Sequence, residues 1–154
     1  MRLSWLEPAE GGPCTLSDLL AAGVLYQHLP MDPAVWEPAL QTLCEQRGYV
    51  ARDEVALSPD TPQLEALLGR FCVEHLHTED EVRFVLAGSG IFDIRSVDDR
   101  WMRVEVEAGD LLVVPARRYH RFFLTPERTI RCVRLFQDPG GWTPVYREPT
   151  ELPP

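Results

Sequence analysis

The stretch that decides the fold is "EHLHTEDEVRFVLAGSGIFDIR", residues 74–95. It places two histidines and several carboxylates beside two apolar runs that favour strands. A solvated loop would explain the carboxylates and a buried strand the apolar residues, but neither explains His75 and His77. Residues two apart in a strand point to the same face, so the two imidazoles are predicted to project together. Buried imidazole nitrogens need a partner, and a divalent metal ion provides one.

Short β-rich runs continue after this stretch and are separated by turn-forming residues. The runs are "VRFVLA", "GIFDIRS", "WMRVEVE", "LLVVP", "HRFFLT" and "IRCVRLFQ", with "GSG", "DD", "AGD", "TPE" and "DPGG" between them. Strands that recur about every 8 to 12 residues are typical of a β-sandwich or β-barrel. The sequence therefore predicts a closed β-barrel core over residues 73–147.

The preceding residues, 1–72, carry three helix patterns. "TLSDLLAAG" has Thr15 or Ser17 as a cap, and "MDPAVWEPALQTLCEQRG" has Asp32 as the N-cap and Gly48 at its end. A third pattern, "TPQLEALLGRF", begins at Thr61 and Pro62. We expect a helix-rich N-terminal part that packs against the barrel within a single domain of residues 1–154. The Pro-rich residues 148–154 are predicted to form a flexible tail.

Composition narrows the possible partners. The chain has 154 residues, 45% of them hydrophobic, and a net charge of -9. Nucleic acids and anionic membranes are bound through clustered Lys and Arg, so neither is expected as a partner. The N-terminus has acids and prolines where a secretory signal needs a basic start and an apolar core. We therefore expect a cytoplasmic protein, and we also expect it to be a monomer. In the cytoplasm its four cysteines are expected to be small buried hydrophobes.

A second segment, "GDLLVVPARRYHRFF", supplies a third candidate imidazole, His120, at the start of another strand. The carboxylate is not decided by spacing, because Glu79 and Glu81 would share one face of an undisturbed strand. His28 has no acidic or imidazole neighbour in sequence and is predicted to be structural.

These residues resemble the two motifs of the cupins, which are double-stranded β-helix or jelly-roll barrels. The matching positions are Gly69, His75, His77, Glu81 and Gly88 in the first motif, and Gly109, Pro115 and His120 in the second. Two positions depart from the second motif. Arg117 occupies the usual glycine, a position that often needs a positive φ, and Leu124 occupies the usual asparagine.

Across residues 22–147 the chain is similar to one cupin family, the acireductone dioxygenases of methionine salvage. The similarity includes "GVLYQHL", "EQRGYV", the stretch at 74–95, "YHRF", and "RLF" followed by Trp142. It implies a metal held by His75, His77, Glu81 and His120, which favours Glu81 over Glu79. The ion would be Fe(II), or alternatively Ni(II), with one ion per chain.

The resemblance also implies a substrate and its contacts. The substrate is the anionic enediolate of 1,2-dihydroxy-3-keto-5-(methylthio)pentene, which reacts with O₂. The iron form gives 2-keto-4-(methylthio)butyrate and formate, and the nickel form gives methylthiopropionate, formate and carbon monoxide. Substrate contacts are expected from two arginines and three aromatic residues, namely Arg83, Arg134, Phe71, Phe122 and Trp142. The alternatives are another cupin metalloenzyme, such as a different dioxygenase or an isomerase, and a non-catalytic cupin that binds an anion or a metal.

Overall fold

A computed structural model describes residues 1–6, 12–138 and 143–148. The predicted Trp142 contact and residues 149–154 of the predicted tail lie outside this range. The helices are α1 (Leu16–Ala21), α2 (Pro33–Arg47) and α3 (Leu64–Phe71). The strands are β1 (Arg2–Trp5), β2 (Leu25–His28), β3 (Ala51–Leu57), β4 (His75–Leu76), β5 (Glu81–Arg95), β6 (Trp101–Glu107), β7 (Asp110–Val114), β8 (His120–Leu124), β9 (Ile130–Phe136) and β10 (Val145–Tyr146).

Two antiparallel sheets form the barrel, and β5 belongs to both. One sheet has the order β1-β6-β5-β8-β4-β10. The other has the order β2-β7-β5-β9-β3. The first half of β5 pairs with β7 and β9, and its second half pairs with β6 and β8. The predicted mainly-β barrel with a few helices is confirmed.

Strand β5 corrects one detail of the sequence analysis, which placed a "GSG" turn between two separate strands. The chain instead continues as one strand, with a register shift between Val85 and Ala87. Gly88 has φ +76°, and a Cβ there would lie 2.1 Å from the carbonyl oxygen of Thr129. Glycine at this position therefore lets the strand bend and pass close to the neighbouring backbone, so that one strand serves both sheets.

The helix boundaries follow the capping residues in two of three cases. Thr15 caps α1, with its N–H donating to the Asp18 carboxylate at 2.8 Å. Asp32 caps α2 by accepting from the N–H of Ala34 at 3.0 Å, and Gly48 ends that helix with φ +74°. The predicted start of α3 at Thr61 is wrong, because the helix begins at Leu64. The hydroxyl of Thr61 accepts from the N–H of Ser58 instead, which forms a turn.

Three strands in the N-terminal part were not predicted. Strands β1, β2 and β3 each pair with a strand of the barrel, so residues 1–72 extend both sheets as well as supplying the helices. Helix α2 packs Trp36 and Leu40 on the outer side of Val82 and Phe84, which are completely buried. The alternate residues of β5, Glu81 and Arg83, then point into the barrel, where they line a cavity. Among the described residues, no helix has the length and apolar character needed to cross a bilayer.

Candidate metal centre

The two histidine-bearing segments meet inside the barrel. Strand β4 pairs with β8 so that His75 lies directly opposite His120. The ring of His120 lies 4.5 Å from that of His75 and 5.4 Å from that of His77, measured between centroids. One nitrogen from each of the three buried rings lies within 4.8 Å of the others. The predicted convergence of three imidazoles is therefore present, although His77 lies just beyond the short strand β4 rather than within it.

Backbone carbonyls fix the orientation of all three rings. The Nδ1 atom lies 2.6 Å from the Val73 oxygen in His75, 3.2 Å from the Thr143 oxygen in His77 and 2.9 Å from the Arg118 oxygen in His120. A carbonyl oxygen can only accept, so each Nδ1 carries the proton. When the ring is neutral, this arrangement turns the lone pair of Nε2 toward the cluster, which is the state in which histidine binds a metal ion.

Glu81 joins this cluster and Glu79 does not. One oxygen of Glu81 lies 2.9 Å from Nε2 of His120, and the other lies 3.6 Å from Nε2 of His77. The Glu79 carboxylate instead accepts from the N–H of Asp138 at 3.0 Å. Residues 78–80 interrupt the strand between β4 and β5, so the two glutamates do not share a strand face.

Arg83 holds the Glu81 carboxylate. Its Nη2 donates to Glu81 at 2.8 Å, and its Nη1 donates to the Val82 carbonyl at 3.0 Å. Burial alone would raise the pKa of Glu81, but Arg83 and the neighbouring His120 hold that pKa well below its usual value. Burial would likewise lower the pKa of His120, and the charge of Glu81 raises it above the usual value instead. The carboxylate is thus kept ionised beside the three imidazoles.

One buried nitrogen of the cluster lacks a hydrogen-bond partner in the described part of the chain. Among the described residues, Nε2 of His120 is the one buried side-chain nitrogen or oxygen without a hydrogen bond. This nitrogen lies 2.9 Å from a carboxylate oxygen of Glu81. When Nδ1 carries the ring's proton, the two atoms are both acceptors, and either a proton or a metal cation placed against them satisfies both. Three neutral imidazoles and one carboxylate fit a divalent transition metal ion.

The cluster lines a cavity of about 490 Å³, and four of the predicted substrate residues line the same cavity. Phe71 and Phe122 meet edge to face with centroids 6.3 Å apart, and Phe122 also packs on Phe92. Arg134 lies opposite Arg83 in the sheet, and its guanidinium pairs with Asp53, Nε to Oδ1 at 2.7 Å. Both arginines therefore have carboxylate partners, so neither presents a free guanidinium to the cavity.

One residue that lines the cavity, Asp80, was not assigned a role from the sequence. The Asp80 carboxylate accepts from the hydroxyl of Tyr49 at 2.7 Å and from the N–H of Ala116 at 3.0 Å. It thereby joins the end of α2, the segment between β4 and β5, and the loop before β8. Because the partners of Asp80 are 31 and 36 positions away in the chain, no local pattern could have identified this role.

Arg117 has the conformation that its usual glycine would have. Its φ is +66°, and its N–H donates to the carbonyl of His77 at 2.8 Å. The hydrogen bond joins the two histidine-bearing segments. His28, predicted to be structural, contacts the buried Asp110 with its Nδ1 at 3.0 Å and takes no part in the centre.

Comparisons with known proteins agree with this geometry. The structure is similar to a solved acireductone dioxygenase from Bacillus anthracis with a cadmium ion in its active centre, with a TM-score of 0.86 and 32% identity over 94% of this chain and 96% of that one. A double-sheet barrel with histidines from two separated motifs facing inward makes this chain a cupin, as predicted.

Sequence comparison places the chain more narrowly. The model of the ARD/ARD' family matches residues 12–144. The acireductone dioxygenase of Heterostelium pallidum is 45% identical over 88% of this chain and 91% of its own length. That of Dictyostelium discoideum is 43% identical over 94% of this chain and 98% of its own length. This chain belongs to the ARD/ARD' family.

Proposed function

We propose that this protein is a metal-dependent dioxygenase that cleaves acireductone with O₂. The observation that carries the proposal is the convergence of three imidazoles and the Glu81 carboxylate in the wall of a largely apolar cavity. The relatives that match 88% and 94% of this chain bear the name acireductone dioxygenase. The cadmium ion in the active centre of the Bacillus anthracis protein supports a divalent cation at the corresponding place here.

The ligands proposed for the ion are His75, His77, Glu81 and His120. When bound, the ion would supply positive charge and open coordination positions for the two oxygens of an enediolate. The ligand set is held by the chain itself, because three carbonyls orient the imidazoles and Arg83 fixes the carboxylate. Supporting contacts of this kind commonly change metal affinity by about 10- to 100-fold.

The rest of the cavity suits the remainder of the substrate. Arg83 and Arg134 line the cavity, but they are paired with Glu81 and Asp53, so the positive charge that would favour an anion comes from the bound ion. Other walls of the cavity are aromatic and aliphatic, including Phe71 and Phe122. An apolar tail would bind there by displacing water, and the reacting oxygens would then be directed toward the histidines.

The native metal is proposed to be Fe(II), with Ni(II) as the alternative. Imidazole and carboxylate ligands accept both ions, and nickel generally binds such sites more tightly than ferrous iron. We favour iron because cells usually offer more of it. With iron the expected products are 2-keto-4-(methylthio)butyrate and formate. With nickel they are methylthiopropionate, formate and carbon monoxide.

Product analysis tests substrate and metal together. The metal-free protein would be loaded separately with Fe(II) and Ni(II), supplied with acireductone and O₂, and the products identified. Each metal form is expected to consume acireductone faster than the metal-free protein and to give its own product set. If neither form exceeds the metal-free control, the proposed activity is wrong.

That outcome would favour the alternatives of a cupin metalloenzyme with another substrate or a non-catalytic cupin. Both alternatives agree with the barrel, but neither accounts for the similarity to acireductone dioxygenases over 88% and 94% of this chain. The proposal also includes a monomeric protein that acts in the cytoplasm without nucleic acid. Light scattering of the purified protein would test the monomeric state.

A further inference from the structure

One inward-facing position of β5 is a glycine and has no side chain. Gly90 and Phe92 occupy successive inward positions, and Gly90 is buried. The ring of Phe122, which stands opposite Phe92 in the sheet, covers the missing side chain. A Cβ built on Gly90 would lie 2.7 Å from Cε2 of Phe122 and 2.9 Å from Cδ1 of Ile130. Real Cβ contacts are not this short, so even a methyl group at Gly90 would require both neighbours to move.

Both neighbours are walls of the cavity. Phe122 and Ile130 line its apolar part, together with Leu57, which stands opposite Ile130 in the sheet. The candidate metal ligands that line the cavity, His75, His77, Glu81 and His120, are other residues. Movement of Phe122 and Ile130 away from β5 would therefore narrow the apolar part of the cavity.

We propose that Gly90 determines which substrate tails this protein accepts. Because Gly90 has no side chain, Phe122 and Ile130 can pack close to β5, and the apolar part of the cavity, where the tail would bind, stays deep. The proposal rests on the proposed function for the identity of the tail, but its geometric basis is independent of the reaction. Gly90 does not have a positive φ, so alanine is compatible with the backbone there. The effect of the substitution is therefore expected in the cavity rather than in the strand.

Binding of alkyl hydroxamates tests the proposal without any turnover. These compounds chelate a metal through two oxygens and carry a tail of chosen length. In the Ni(II)-loaded protein, Gly90→Ala is expected to raise the Kd of hexanohydroxamate at least 10-fold and to change that of acetohydroxamate by less than 3-fold. Equal effects on the two compounds, or no effect on either, would overturn the proposal.

Matched variants guard against a general loss of structure. Gly69→Ala is the control, because a Cβ there meets nothing within 4 Å, and it should leave both affinities unchanged. Ile130→Val removes the Cδ1 atom that faces Gly90. Added to Gly90→Ala, it should recover part of the lost affinity for hexanohydroxamate. If Gly90→Ala does not fold, Ile130→Val alone should favour octanohydroxamate over hexanohydroxamate by about 3-fold or more relative to wild type, and no change would contradict the proposal.

The reaction provides a second measurement. Gly90→Ala should lower kcat/KM for acireductone at least 10-fold and should spare an analogue whose tail is reduced to a methyl group. A wild-type protein that binds hydroxamates with the expected length dependence but does not consume acireductone would refute the proposed reaction and leave the pocket inference standing.

Discussion

At the scale of single residues, the centre depends on which of two nearby carboxylates faces the imidazoles. Glu81 contacts His77 and His120, whereas Glu79 contacts the backbone of Asp138. We predict that Glu81→Ala weakens metal binding more than about 100-fold, beyond the usual effect of losing a supporting contact, and that Glu79→Ala largely keeps the metal. Elemental analysis after dialysis measures both. Metal loss from Glu79→Ala with retention in Glu81→Ala would reverse the assignment.

Arg117 provides a test of backbone strain. A non-glycine residue in the left-handed region costs about 1–2 kcal/mol. Replacing it with glycine removes this strain, but part of the gain in stability is lost because glycine makes the unfolded chain more flexible. Arg117→Gly is therefore predicted to stabilise the protein by about 0.5–1 kcal/mol, which raises Tm by roughly 1 to 4 °C. The neighbouring Arg118 does not have a positive φ, so Arg118→Gly should lower Tm. A lower Tm for Arg117→Gly would show that the arginine side chain contributes more than the strain costs.

At the scale of elements, β10 and its flanking residues cover the centre. Strand β10 pairs with β4, Thr143 accepts from His77, and Arg147 binds the carboxylates of Glu74 and Asp99 at 2.8 to 2.9 Å. These contacts keep the segment beside β4, the strand that carries His75. The orientation of His77 therefore depends on a segment 66 positions away in the chain.

We predict that Arg147→Ala loosens this segment and lowers metal affinity about 10-fold, within the range for supporting contacts. Competition with a chelator of known affinity measures the change. Arg100→Ala is the control, since Arg100 pairs with the exposed Asp98 away from the centre. Equal affinities in the two variants would show that β10 does not position His77.

The sequence predicted those elements whose residues decide their own structure. Asp32 and Gly48 bound α2 as expected, because a cap acts over one turn. His120 and Phe122 both line the cavity, as the local alternation of side chains along a strand predicted. Alternation did not choose between Glu79 and Glu81, and the choice of Glu81 came from the family resemblance. The strand β3, "ARDEVAL", was missed, since four of its seven residues are exposed and pairing with β9 makes it a strand. The role proposed for Gly90 was not predicted for a related reason. It depends on the contacts of Gly90 with Phe122 and Ile130, which lie on other strands.

At the scale of the whole molecule, a bound ion would join two segments that lie about 40 positions apart in the chain. Binding to the folded state alone stabilises by about 2.7 kcal/mol when the ligand is at 100 times its Kd. For a chain of this size, removing the ion is predicted to lower Tm by about 5 to 10 °C. Calorimetry with and without a chelator measures this. The Tm of His120→Ala should not change with the chelator. A wild-type Tm that does not change with the chelator would contradict an ion bound between the two segments.

The most direct measurement is an anomalous diffraction map of the protein crystallised with Fe(II) or Ni(II). The account predicts one peak per chain, about 2.0–2.2 Å from Nε2 of His75, His77 and His120 and from a carboxylate oxygen of Glu81. A peak that lacks His120 or Glu81 as a neighbour, or no peak inside the barrel at full metal loading, would contradict it.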